Sequence, residues 1–384
     1  MPGTWVIGDV TNADQRPGLF ANFTSQATAS IRGGLSGVVA CTVRSAWGPG
    51  ATVQKITNVG EILNLYTNDE TGFPSFNAYF VLTQILLGGA KEILVYRLLG
   101  PAAAKSTLVL QDTTGAPINV ITLNGKYEGA RGNTFTVSIA ANAQDANRKD
   151  VTIKEGSTIV KVWTTRYDNA NSNMVDDLIS QINDDTSNYY IEAVKIASGN
   201  NTLANITDSS MASGVDDESN IVAADYTEAM DDFENEDFAT VYFDTIDATF
   251  ITSISSWVNT VRGNGKRIIW VTGSDTGDAV AAVKADAEAR NHEGIVHVHP
   301  GFKKDNVAGV ETSYAGYLAA ARVTGIIAGL SLKESPTFRR ITGINDLVTR
   351  LGSTDIKSLM LSGVLPIVYD GRNFKIERGL NTLS

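Results

Sequence analysis

Cysteine occurs once in the 384 residues, at Cys41, so no intrachain disulfide can form and no thiolate-rich metal site can be built. The fold therefore rests on packing. No stretch reaches the 18 or more uncharged apolar residues of a membrane span, and the start, Met1 to Trp5, lacks the basic residues and apolar core of a signal peptide. These absences point to a cytoplasmic chain with no membrane insertion. Basic charge is also short, with 31 Lys and Arg against 42 Asp and Glu and a net charge of -11. That speaks against a nucleic-acid binder, which needs a concentrated basic surface to displace phosphate counterions. What the chain does have is length and apolar residues, 43% of the total. Since a single core stops growing beyond roughly 250–300 residues, two or three domains are expected.

The negative charge is local. Between Asp208 and Asp247 lie 13 acidic residues and no Lys or Arg, so the remainder holds 29 acids against 31 bases. From Ser331 to Ser384 the balance reverses, with eight bases against five acids.

The first 30 residues show no sustained period and contain Arg16-Pro17-Gly18, so 1–30 reads as an arm. Gly37 to Arg44 is a β-branched apolar run closed by Trp47-Gly48-Pro49-Gly50, a buried strand and turn. Asn58 and Glu61 have capping-box spacing for a short helix to Tyr66. Ser75 is expected to cap the next helix, which Gly88-Gly89 ends, and Ile93 to Leu98 reads as a strand. These make 31–100 the first part of an α/β domain. After Gly100-Pro101 the runs shorten and alternate (106–110, 118–123, 135–140, 151–153, 159–164), which predicts an inserted β-rich domain over 101–215 with a helix at 173–183. Helix and strand alternate again over 216–335, as right-handed crossovers onto a mostly parallel sheet require. The Ala- and Gly-rich stretch from Thr312 to Leu330 reads as a helix in the middle of that domain. In 336–384, Ser353 is expected to cap a short helix to Leu361, ended by Gly363, ahead of a hairpin around Asp370-Gly371, a dipeptide suited to a type I′ turn. Gly379 to Ser384 then leave the hairpin with no closing element. The fold class expected is α/β, a mostly parallel sheet flanked by helices, with an inserted antiparallel β domain and extended terminal arms.

Chemistry is sparse. His297-Val298-His299 is the one close histidine pair, and a zinc site there would need carboxylates that the spacing does not supply. The plainer reading is two partly buried, satisfied histidines on alternate sides of a strand turn. Gly263-Asn264-Gly265-Lys266 lacks phosphate-loop spacing and reads as a helix C-terminal glycine turn. Gly273-Ser274-Asp275-Thr276-Gly277 follows a strand and precedes a helix, so an anion site of a soluble α/β enzyme or ligand-binding protein is the alternative there. Asp231, Asp232, Glu234, Glu236 and Asp237 are dense but lack a calcium-loop pattern, and a solvated acidic face is the default. No catalytic residue, metal ligand or cofactor site is nominated, and the chain is not read as an enzyme. A long chain without chemistry, with a free arm and an exposed hairpin, suits an assembly subunit that adds strands to its neighbours. If that joining is head-to-tail and its rotation does not close, it gives a helical filament.

Several segments carry a resemblance. Arg16-Pro17-Gly18-Leu19-Phe20, then Val43-Arg44-Ser45-Ala46-Trp47-Gly48-Pro49 with Ile56-Thr57, resemble the N-terminal part of contractile phage tail sheath proteins. Gly125 to Asn133 is similar to the glycine-rich turn that opens their β insertion. The order continues through Asp225-Tyr226 to Phe233, Tyr314 to Gly329, Leu361 to Leu365, Tyr369-Asp370-Gly371 and Gly379-Leu380-Asn381-Thr382. The shorter sheaths of prophages and phage-tail-like particles are the most similar. The resemblance implies a virion structural protein, assembled in the bacterial cytoplasm. Such a subunit polymerises helically around the tail tube and contracts to drive the tube through the target envelope. Its implied partners are further copies of itself, the tail tube protein, and baseplate and tail terminator proteins. Relatives continue past the position of Ser384, so on this reading the chain lacks a C-terminal segment and behaves as a monomer or small oligomer. Candidate subunit contacts are Arg16, Pro17 and Gly18 in the arm, and the acidic Asp231, Asp232, Glu234, Glu236 and Asp237. Those acids would face Arg339, Arg340, Arg372 and Arg378 of a neighbour, setting register and rate more than affinity.

Overall fold

The computed structural model describes residues 5–6, 22–23, 37–66, 73–166, 173–331 and 333–383. Two short strands, β1 (Trp5–Val6) and β2 (Asn22–Phe23), pair antiparallel. Next come β3 (Val38–Val43), β4 (Val53–Ile56), α1 (Val59–Leu65), α2 (Ala78–Gly88) and β5 (Glu92–Arg97). The chain then leaves for β6 (Lys105–Gln111), β7 (Asn119–Glu128), β8 (Phe135–Ala141), β9 (Lys149–Glu155), β10 (Thr158–Thr164), α3 (Met174–Asp184), β11 (Ile191–Lys195) and β12 (Ile206–Ser210). It returns through α4 (Ala223–Glu234), β13 (Thr240–Tyr242), α5 (Ala248–Gly263), β14 (Ile269–Gly273), α6 (Val280–Arg290) and β15 (Ile295–His299). Last are β16 (Phe302–Asp305), β17 (Glu311–Tyr314), α7 (Gly316–Gly329), β18 (Asp346–Leu347), α8 (Ser353–Leu361), β19 (Val364–Tyr369) and β20 (Phe374–Ile376).

The main sheet has the order β20-β19-β15-β14-β13-β3-β5-β4. Its six inner strands are parallel, and an antiparallel strand closes each end. Both faces are covered, which is why β3 is apolar except for Thr42 and has every residue buried. Val39, Cys41 and Val43 face a core with α2 and α7, while Val38 and Ala40 face one with α4 and α5. The inserted residues form two antiparallel sheets, β10-β9-β8-β12 and β11-β7-β6, packed with α3 around Phe135, Trp163 and Leu178. This is the mixed α/β class expected, with antiparallel sheets in the insertion.

Helix α7 is buried along most of its length, and its small residues set how near α2 comes. A Cβ on Gly325 would overlap the Ile85 carbonyl, and one on Gly88 would lie 2.6 Å from the Arg322 carbonyl. Backbone meets backbone there. Arg322, also buried, donates to Thr342 O at 3.0 Å, and burial lowers its pKa to about 10.

Several local expectations need correction. Asn77, not Ser75, precedes α2, and its amide serves elsewhere: Oδ1 accepts from the Arg44 backbone N–H and Nδ2 donates to Asp244. The helix expected from Thr312 begins at Gly316, because Glu311–Tyr314 pairs with β16 and the Tyr314 ring stacks on Phe80 at 4.0 Å. Asp370-Gly371 does not make a two-residue type I′ turn. Tyr369 pairs with Phe374 across a longer loop, only Gly371 has positive φ, and the Asp370 carboxylate accepts from the Arg372 and Asn373 amides. The tail after the hairpin is tied down. Thr382 is fully buried, its amide donates to Ile295 O, and its hydroxyl bonds the His292 backbone. The outer edge of β20 is also occupied, by backbone bonds from Phe338 to Ile341.

Candidate functional site at the strand ends and the domain junction

Trp47 and the turn from Gly125 to Asn133, 78 or more positions apart in sequence, meet where the insertion leaves the main sheet. The Trp47 ring is fully buried, edge-on to Tyr127 and Phe135 at 5.5 and 5.3 Å, with the Arg131 guanidinium 5.7 Å away. Gly129, at φ +139°, lies so near the Ala46 carbonyl that any side chain would collide. Arg97, at the end of β5, is wholly buried. It donates to Ser45 O and Gly48 O at 2.8 Å and to Glu128 O at 3.1 Å, so one guanidinium binds both domains. Burial lowers its pKa to about 10, with Asp216 4.0 Å away opposing that shift.

A second knot sits at the carboxyl ends of β3 and β13. Chain direction across the sheet reverses between these strands, the position at which open α/β sheets form a crevice. Asp244 is fully buried and each oxygen has two donors. Oδ1 accepts from Thr42 and Tyr226 hydroxyls at 2.9 and 3.3 Å, and Oδ2 from Arg44 Nε at 2.8 Å and Asn77 Nδ2 at 3.0 Å. Arg44 Nη1 also donates to Glu218 Oε1 at 2.8 Å. Burial works against the Arg44 charge, but Asp244, Tyr226 and Glu218 outweigh it and hold its pKa above the ordinary value. The crevice above this knot has a volume of about 270 Å³ and is walled by Arg44, Glu218, Tyr226, Asp247, Phe250 and Tyr317, among others. Its groups hold structure together, and none is arranged as a nucleophile with a base.

Sequence comparison agrees with a structural role. Residues 219–382 match the phage tail sheath protein central domain. The chain is 25% identical to the phage-like element PBSX protein XkdK of Bacillus subtilis, over 99% of this chain and 75% of that one. It is 24% identical to the uncharacterized B. subtilis protein YqbK, over 96% and 73%. Its fold is that of the crystallised sheath tail protein of Desulfitobacterium hafniense, at TM-score 0.69 and 21% identity over 95% of this chain and 75% of that one. The Listeria innocua sheath tail protein gives TM-score 0.67 and 22% identity over 91% and 70%. Residues 219–382 thus carry the central domain of the phage tail sheath proteins.

The residues expected at subunit contacts fall on two separate edges. Asp231 and Asp232 are exposed on α4, and the Glu236 carboxylate lies 3.8 Å from Lys55 on the edge strand β4. Glu234 is partly engaged, accepting from Trp257 Nε1 at 2.8 Å. Lys266 fills the underside of the segment, donating to Phe233 O at 3.0 Å and lying 4.2 Å over the Phe238 ring. Asp237, also exposed, is near it and opposes the lowering of its pKa by burial. At the opposite edge Arg339 pairs with Glu334 at 3.1 Å, while Arg340, Arg372 and Arg378 are exposed and make no ion pair among the described residues. Arg16, Pro17 and Gly18 lie outside the described residues. The Gly263 turn ends α5 as expected.

The anion site considered at Gly273 to Gly277 is not favoured by the geometry. The Asp275 and Thr276 amides are taken by the carboxylates of Asp278 and Asp275, and α6 starts only at Val280. Gly273 is there to admit α7, since its Cβ would overlap the Gly316 backbone. His297 and His299, two apart in β15, share one face and do not alternate. His299 Nδ1 is 2.7 Å from Ser274 Oγ, and His297 Nδ1 is 3.1 Å from Arg290 Nη1. His297 Nε2 is buried without a partner among the described residues. What sequence reasoning missed is the Asp244 knot. Its only signal was a lone acid at the end of a buried strand, which needs a cation close by.

Proposed function

We propose that this protein is a tail sheath subunit that polymerises helically around a tail tube and contracts to drive it through a target cell envelope, with assembly in the host cytoplasm. Copies of itself, the tube protein, and baseplate and terminator proteins are its partners. The observation that carries the reading is the separation of charge. Seven strand steps of about 4.8 Å, on the order of 34 Å, divide the acidic edge by β4 from the basic edge by β20. These edges cannot meet within one chain, and between chains they make a head-to-tail contact, the kind that propagates. The cross-linked junction supports the same reading, because a subunit that moves as a unit needs its insertion fixed to its sheet.

Electron microscopy of the protein co-expressed with its tube protein tests this. Sheathed tubes are expected. Bare tubes beside dispersed particles would overturn the reading.

A further inference from the structure

The crevice at the ends of β3 and β13 has features that the knot beneath it does not use. Its charged walls are one cation, Arg44, and three carboxylates, Glu218, Asp244 and Asp247. The buried Asp244 has all its donors, but Asp247 uses only Oδ1, to cap α5 through the Thr249 and Phe250 amides. Glu218 uses only Oε1, towards Arg44. Each leaves its second oxygen without a hydrogen bond among the described residues. Tyr317 is the independent sign. It is 7% exposed, lines the crevice, and its hydroxyl has no hydrogen-bond partner among the described residues. The Phe250 and Tyr226 rings, 4.9 Å apart, add an aromatic wall.

Free carboxylate oxygens, an unused phenol and ring faces together suit a planar guanidinium, which takes carboxylates through several N–H groups and stacks on aromatics. We propose that the crevice is a socket for an arginine side chain of a second copy, supplied from the basic edge by Arg340, Arg372 or Arg378. Those three carry the unpaired exposed guanidinium groups named above, and they lie on the edge that a head-to-tail neighbour presents. The socket deepens the sheath reading and rests on it for its occupant. The acids at Asp231 to Asp237 steer approach, while the socket holds the neighbour once it has arrived.

The test uses N-acetyl-arginine amide as probe, with N-acetyl-glutamine amide as the neutral control, titrated against the isolated protein by NMR. Saturable binding of the arginine probe alone is expected. Asp247→Asn keeps the α5 cap, since Asn caps as well as Asp, and Tyr317→Phe removes one hydroxyl. Each should weaken the probe at least fivefold at an unchanged melting temperature. No saturation, or equal binding of the glutamine amide, overturns the socket. In sheathed tubes, Asp247→Asn should release subunits at least fivefold faster on dilution. Unchanged release in a variant that has lost the probe overturns the second copy as occupant. Failure of wild-type protein to sheathe tubes strikes the sheath reading alone, because the titration needs no assembly.

Discussion

Arg44 Nε and Asp244 Oδ2 are 2.8 Å apart across 200 positions of sequence, and their contact locks the end of β3 to the end of β13. Asp244 is fully buried and Arg44 is one-fifth exposed, at 21%. Removing one partner of such a pair strands the other charge, a loss of 3–5 kcal/mol for fully buried pairs. Asp244→Ala should therefore cost about 3 kcal/mol in denaturant unfolding, towards the lower end because water reaches Arg44. The double variant Arg44→Met with Asp244→Leu should lose less than either single change, since it leaves no uncompensated charge. A loss below about 1 kcal/mol for Asp244→Ala would mean that the knot does not matter.

Glycine substitutions separate helix propensity from helix packing. Ala is favoured over Gly inside a helix by roughly 1 kcal/mol. At Gly325 the new methyl would collide with the Ile85 carbonyl of α2, so Gly325→Ala should destabilise, by about 1–3 kcal/mol net of the propensity gain. Gly263, at the end of α5, has nothing within 4 Å of the same position. Gly263→Ala should gain a few tenths of a kcal/mol. Thermal unfolding of the two variants checks the opposite signs.

The strands that were legible in the sequence are those buried on both faces, such as β3 and β15, where composition alone distinguishes them from their surroundings. Harder were elements whose state depends on distant partners. Glu311–Tyr314 continues the helical pattern of α7 but becomes a strand because β16 offers a ladder and Phe80 offers a ring. Strands β11 and β12 went unseen, being short, polar on one side and dependent on β7 and β8 for their pairing. The tail looked unfinished because nothing local shows that Thr382 reaches His292 and Ile295. At the candidate site, Arg44 and Trp47 stood in a recognisable segment, yet Asp244, Glu218 and Tyr317 had no marker until the fold brought them together.

His299 gives the fold an acid limit. Burial lowers its pKa to about 4, against an ordinary value near 6.5. Between these values the unfolded chain binds a proton that the folded one refuses, so stability is complete above pH 6.5 and is lost as pH falls towards 4. The loss amounts to about 3 kcal/mol, by the proportion of 1.36 kcal/mol per unit. His297, lowered further by its own burial and by Arg290, adds in the same direction. His299→Gln retains hydrogen-bonding capacity towards Ser274 without titrating, and should flatten the stability profile between pH 6.5 and 4. An equally steep profile in that variant would assign the acid limit to other groups.

Charge reversal tests whether the separated edges act between copies. Asp231 and Asp232 are exposed, so Asp231→Lys with Asp232→Lys should leave unfolding stability within about 0.5 kcal/mol of wild type. Their effect belongs to association. Complementary rim charges raise encounter rates by roughly tenfold or more at low salt, and physiological salt screens them within about 8 Å. Sheathing of tubes by the double variant should slow about tenfold at low ionic strength, and the difference should shrink as salt is added. Reversing the other edge in the same chain, with Arg372→Glu and Arg378→Glu, should restore the rate if the two edges meet. Full-rate sheathing by the acidic-edge variant alone would reduce the segment to a solubilising surface. Failure of the compensating changes to restore the rate would place the partner of the acids elsewhere on the neighbour.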